Sequence, residues 1–115
     1  MSKQNIHIAK LLPFLTDFNE KHRAQPVTLR LQEGRAAPMV QEEGLPLLGL
    51  DLDREGPLAP CIQIMLGVEA GAEARHLTHT VPRVSEVVLE VGSDGEDLQL
   101  NIESDAGAKA ILQLD

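Results

Sequence analysis

Tryptophan and tyrosine are absent from this chain of 115 residues, and Phe14 and Phe18 are its only aromatic side chains. A core built without the larger rings is filled by Leu, Val, Ile and Ala, which bury area but offer little directional recognition. A stacking platform for bases or sugars is all but excluded. Cysteine is scarce as well. Cys61 stands alone, so no internal disulfide can form, in agreement with a reducing compartment. It lies in Ala59-Pro60-Cys61-Ile62-Gln63-Ile64, without the base or cation that would activate a thiol, and reads as a small half-buried side chain.

Positive charge is also in short supply. Ten Lys and Arg stand against 18 Asp and Glu, a formal charge of −8. Polyanion binding is driven by basic side chains that displace counterions, so neither nucleic acid nor an anionic membrane is an expected partner. No apolar run approaches the roughly 20 residues that span a bilayer. The segment Met1-Ser2-Lys3-Gln4-Asn5 opens no signal-peptide pattern, and a cytoplasmic protein is expected. With 43% hydrophobic and 24% charged residues the balance is that of a globular chain, and the length suits one domain over 1–115.

What is present is a change of period. Ile8, Leu11, Leu12, Leu15 and Phe18 fall at helical spacing, with Lys10, Asp17, Glu20 and Lys21 opposite. Pro13 belongs in a first turn, and Gln25-Pro26 ends the segment, which predicts a helix from about Lys10 to Arg23 with an Asp17–Lys21 pair on its surface. From Val27 the period is two. Val27, Leu29 and Leu31 alternate with polar neighbours, and the same reading recurs at Leu48/Leu50/Leu52, Ile62/Ile64/Leu66/Val68, Val87/Leu89/Val91, Leu98/Leu100/Ile102 and Ala110/Leu112/Leu114. Six strands are thus expected. The links Gly92-Ser93-Asp94-Gly95-Glu96 and Ser104-Asp105-Ala106-Gly107 are too short for a crossover helix, so the last three form an antiparallel meander. Arg54-Glu55-Gly56-Pro57 joins an earlier hairpin. Glu33 to Gly44 and Glu69 to Arg75 read as longer, mobile loops.

The expected fold is therefore α+β: an N-terminal amphipathic helix packed on a mainly antiparallel, curved six-stranded sheet, either a partly open barrel or a sheet with one wet face. A self-complementary dimer through an exposed edge, or through a Met65-Val88-Ile111 patch on the second face, would hide what remains.

The string His76-Leu77-Thr78-His79-Thr80-Val81-Pro82 is the most inviting place for chemistry. On a helix its two histidines would share a face and could clasp zinc, but Thr78, Thr80, Val81 and Pro82 favour a strand, where odd spacing sends the rings to opposite sides. If Leu77 and Val81 face the core, so does His79. An inward histidine either satisfies itself on a backbone carbonyl or lines a pocket as a base or ligand contact, with Thr78 and Thr80 as its nearest polar neighbours. Asp51, Asp53 and Glu55 would place carboxylates roughly 7 Å apart on one strand face. Their stretch lacks the compact loop that wraps an ion, and a solvated acidic edge is the favoured reading, as it is for Glu42-Glu43 and Glu69/Glu73. Ser85, Ser93 and Ser104, expected in turns, have no G-x-S-x-G context, and no glycine pair leads a strand into a helix as phosphate loops require. Neither a catalytic residue nor a metal or other cofactor is implied, and one early helix rules out a Rossmann or P-loop layout.

Across most of the chain, the helix Leu11-Leu12-Pro13-Phe14-Leu15-Thr16-Asp17-Phe18-Asn19, the step Gln25-Pro26-Val27-Thr28-Leu29, the turn Leu45-Pro46-Leu47-Leu48-Gly49-Leu50, the string Leu77-Thr78-His79-Thr80-Val81-Pro82 and the closing Leu98-Gln99-Leu100-Asn101-Ile102 together resemble a family of small bacterial proteins known as a domain of unknown function. The resemblance implies a bacterial, intracellular protein with no assigned activity. Two functions remain open: a non-enzymatic accessory or protein-interaction module acting as a homodimer, and a small-molecule or metal-binding protein with its site around His79.

Overall fold

The computed structural model describes residues 2–68 and 75–115. Among them the one α-helix, α1 (Leu11–His22), is preceded by a 3-10 turn at Ile8–Lys10. The strands are β1 (Ser2–Asn5), β2 (Pro26–Glu33), β3 (Met39–Asp53), β4 (Cys61–Val68), β5 (Arg75–Val81), β6 (Val84–Val91), β7 (Asp97–Ser104) and β8 (Ala108–Leu114). They form one antiparallel sheet in the order β1-β6-β7-β8-β2-β3-β4-β5. The mainly antiparallel α+β expectation holds, but among the described residues the sheet has eight strands rather than six, β1 and β5 being the additional ones, and it is not closed. The expected meander is β6-β7-β8.

Helix α1 buries Leu11, Leu15, Phe18 and His22, a stripe at i, i+4, i+7 and i+11. Pro13 sits in the first turn, where its missing N–H has no intrahelical acceptor to lose. Two of the expected core residues are outside: Ile8 is 53% and Leu12 44% exposed. Ile8 falls in the tighter 3-10 turn, out of phase with the helix, and Leu12 lies beside the buried stripe rather than in it. Lys21 does not pair with Asp17; its Nζ lies 3.3 Å from Asp97 Oδ2. Leu11, Leu15 and Phe18 meet the core faces of β2, β3, β4 and β6–β8, where Leu29, Leu47, Ile64, Val87, Leu100 and Leu112 are sealed from solvent.

One strand and part of another, β1 and the first arm of β3, were not visible as hydrophobic patterns. β1 has four exposed residues and holds its place through main-chain pairing with β6, Ser2 opposite Val91 to Asn5 opposite Val88. The first arm of β3 occupies Met39 to Gly44, where a mobile loop was expected. It pairs with β2 through two bulges, at Gln41 and Gly44, and Gly44 takes φ +83°, a conformation that favours glycine. Of the other expected loop, 69–74 lies outside the described residues and Arg75 opens β5.

β3 changes partner along its length, pairing with β2 as far as Pro46 and with β4 from Leu47. A third bulge falls at this step. Leu47 faces Leu66 and Leu50 faces Ile64, so three residues on β3 span two on β4 and Leu48 is the extra one. Strict alternation through Leu48, Leu50 and Leu52 is therefore broken, and Leu47 takes the core position. Beyond the bulge β2 has ended, and Asn19 of α1 replaces it: Asn19 Nδ2 donates to the Leu50 carbonyl at 2.8 Å and the Leu50 N–H donates to Asn19 Oδ1 at 2.7 Å.

The two-residue link Pro82-Arg83 joins β5, at one end of the sheet, to β6, near the other. Such a link is possible because the sheet coils until the last residues of β5 come beside the first of β6, without the two strands pairing. Arg83 N–H donates to the Leu58 carbonyl, Val84 N–H to that of Pro60 and Asp105 N–H to that of Arg83, at 2.8, 2.8 and 3.0 Å. On the outer face, Glu90, Gln99 and Asn101 bond one another, and Arg30 bonds Gln113. Val88 and Ile111 flank Asn101 in that polar row, while Met65 lies on β4 between Gly49 and Thr78, so the three expected to share a patch do not meet. Among the described residues no helix is long and apolar enough to cross a membrane.

Candidate functional site: the β5 edge and the cleft behind it

β5 alternates as its residue types require. Leu77, His79 and Val81 share the core side, and Thr78 and Thr80 are exposed on the other. His76 is exposed as well, one residue out of phase with His79, so the two rings cannot converge on one ion. His79 stands opposite Ile64 of β4 and is half-buried.

The Asn19 clamp fixes which main-chain groups of β5 are free. Leu50 directs both its N–H and its C=O at Asn19, so its pair with Ile64 is the non-hydrogen-bonded kind. Ile64 therefore spends its own groups on His79, and by alternation Thr78 and Thr80 turn theirs away from β4. Among the described residues only β4 pairs with β5, so there these groups form an open edge.

Behind that edge lies a cleft of about 350 Å³. β5 forms one wall with His79, Thr80 and Val81, and Pro82 closes its end; the end of β2, the β7–β8 turn and the start of β8 form the rest. Its lining is mostly aliphatic: Leu31, Val81, Pro82, Ala106, Ala108 and Ala110. Thr80 borders the cleft, whereas Thr78, opposite Met65, does not. Alternation along β2 and β7 places Glu33 on the face of Leu31 and Ser104 on that of Ile102. Glu33, His79 and Ser104 are thus the polar side chains turned to the core side of the cleft, none bonding another among the described residues; Gln32, Thr80 and Lys109 also border it, turned by the same alternation to the outer face. Ser104 Oγ accepts from the Ala106 N–H at 3.3 Å. Without a hydrogen-bonded nucleophile and base, the trio has no catalytic grouping.

Burial lowers the pKa of His79 from its ordinary 6.5 by penalising the charged ring. At neutral pH the imidazole is uncharged and offers one donor and one acceptor. Among the described residues no hydrogen bond engages the ring. The backbone carbonyl partner that an inward histidine commonly finds is thus missing there.

The other residues singled out from sequence are dispersed. Asp51, Asp53 and Glu55 are exposed, and Asp53 Oδ1 accepts the Glu55 N–H at 3.0 Å, closing a local turn. Among the described residues no three His, Cys, Asp or Glu converge as metal ligands would. Cys61 is buried, and desolvation together with the Asp53 carboxylate opposite raises its pKa, the reverse of thiol activation. Ser85 lies within β6, where its hydroxyl donates to the Glu103 carbonyl, and Ser104 ends β7; of the three serines only Ser93 is in a turn.

His22 gave no sequence signal beyond helical spacing from Phe18, yet it is 5% exposed and packs on the Phe18 ring at 4.6 Å. Its Nδ1 meets Gln25 Oε1 and its Nε2 meets Asp97 Oδ2, both at 2.7 Å. Gln25 in turn donates through Nε2 to the Asp115 carbonyl at 3.2 Å. The group ties the end of α1 to β7 and to the last residue, and its polar atoms are spent on one another, which makes it a structural joint rather than a binding site. No family model matches the chain, and neither the curated proteins nor the solved structures contain a match, so the resemblance to the small bacterial family gains no support.

Proposed function

We propose that this protein is a non-enzymatic interaction module that works as a homodimer, two copies joining through their β5 edges. The observation that supports this reading is the outward main chain of Thr78 and Thr80, on a seven-residue strand, which has no strand partner among the described residues. Antiparallel self-pairing about a two-fold axis at Thr78 would set Thr78 against its copy and His76 against Thr80 of the second copy. In a chain of charge −8, β5 contains no carboxylate, so like charges do not oppose the approach. The other open edge, β1, is shorter and carries Lys3, a common device against strand addition.

Light scattering at micromolar concentration tests the reading: a dimer mass is expected, and a monomer mass refutes it. Thr78→Pro deletes an N–H that β4 does not use, a placement proline tolerates on an edge strand, and should yield a folded monomer by circular dichroism. A dimer that survives this change would move the interface elsewhere.

A second reading, a small-molecule site around His79, is favoured by one observation: the unengaged ring opens on an aliphatic cleft of the size that such ligands occupy.

A further inference from the structure

We infer that the cleft behind β5 binds a small uncharged aliphatic molecule with a single hydroxyl, the alkyl body lying between β5 and the start of β8 and the hydroxyl meeting His79. The inference rests on the small-molecule reading and adds the chemical class.

The body of the ligand is set by the walls. Leu31, Val81, Pro82 and the alanines 106, 108 and 110 present short aliphatic surface, and the alanines leave the space open that longer side chains would fill. Both phenylalanines are on α1, away from this lining, so a flat aromatic or nucleobase ligand finds nothing to stack on. The single polar group is set by His79. An uncharged imidazole has one N–H and one lone pair, and a hydroxyl likewise donates once and accepts, so the two are matched in either direction. Charge narrows the choice further. Lys109 borders the cleft too, but from the outer face opposite Glu103, so a carboxylate inside would lie beside Glu33 in a chain of net charge −8, and the ring that would have to hold it resists protonation. An ammonium group would meet Glu33 at the exposed rim, where an ion pair is worth little, and would be desolvated further in.

Three probes of equal chain length decide it: hexan-1-ol, hexanoate and hexylammonium, titrated separately into the protein while its histidine ring and alanine methyl signals are followed by NMR. Hexan-1-ol is expected to shift the His79 ring together with the methyls of Ala108 and Ala110 in a saturable way, with the charged probes at least about tenfold weaker, a gap of about 1.4 kcal/mol. His79→Gln should weaken hexan-1-ol by about fivefold to tenfold, the loss expected for one hydrogen bond. Ala108→Leu, which fills the cleft from its rim, should abolish the shifts while circular dichroism stays native. If this variant does not fold, the His79→Gln titration alone decides. Tighter binding of hexanoate or hexylammonium would overturn the chemical class and leave the small-molecule reading standing. Shifts from none of the three would overturn both.

Discussion

Replacing Asn19 by alanine is expected to cost far more than its half-exposed position on a helix suggests. The side-chain amide is the neighbour β3 lacks once β2 has ended, making one bond to each main-chain group of Leu50. Leu50 is 3% exposed, so water cannot readily take over. Each intramolecular hydrogen bond is worth about 1 kcal/mol net, and each buried group left unpaired costs about 1–3 kcal/mol; for two groups with partial relaxation we expect a loss of about 2–4 kcal/mol. At about 4 °C per kcal/mol for a domain of this size, the midpoint should fall by about 8–16 °C. With no Trp or Tyr to report by fluorescence, far-UV circular dichroism during urea and thermal unfolding is the suitable assay. Asn19→Asp should recover little: it keeps the acceptor for the Leu50 N–H but turns a carboxylate oxygen toward the Leu50 carbonyl. The control is Glu20→Ala on the exposed side of the same turn, expected within about 0.5 kcal/mol of the parent. If Asn19→Ala also stayed within that margin, the stripe of Leu11, Leu15 and Phe18 alone would hold α1 on the sheet, and the reasoning about a substitute strand would be wrong.

Two further outcomes follow from the geometry. The folded-state pKa of His79 lies below its unfolded value, so between the two the unfolded chain binds more protons; the contribution is fully present above pH 6.5 and is lost as pH falls through the folded value. His79→Gln should flatten this part of the stability profile, as seen in urea midpoints measured from pH 7.5 to 4.5, whereas an unchanged difference across that range would show that the ring is not desolvated. Ala24 adopts φ +65° just past the end of α1, a region that costs a non-glycine residue about 1–2 kcal/mol, against about 0.4–1 kcal/mol of extra unfolded-chain entropy for glycine. Ala24→Gly should therefore stabilise the protein by about 0.5–1 kcal/mol, and a lower urea midpoint would contradict that balance.

The sequence by itself determined the elements whose signal is local and periodic. Helical spacing from Leu11 to Phe18 with Pro13 and Pro26 as punctuation places α1 to within a residue at each end, and alternation places β2, β4, β6, β7 and β8 with their core faces except at Val68 and Leu98, strand-end residues that are exposed. It also put His79 on the side of Leu77 and Val81, because side-chain direction in a strand depends only on parity. Tertiary structure alone decided the rest. β1 and the first arm of β3 are largely exposed and are strands because a neighbour offers main-chain partners, a requirement that leaves no mark on side-chain pattern. The bulge at Leu48 arises where β3 exchanges β2 for Asn19, 31 residues away in sequence, and shifts which leucine is inside. His22 is buried because Gln25 and Asp97 meet both of its nitrogens, the latter from 75 residues along the chain. The cleft depends on coiling that brings β5 back toward β2 and β8, and its walls come from segments far apart in sequence. Periodicity reports which way a residue faces; what it faces is set by long-range packing.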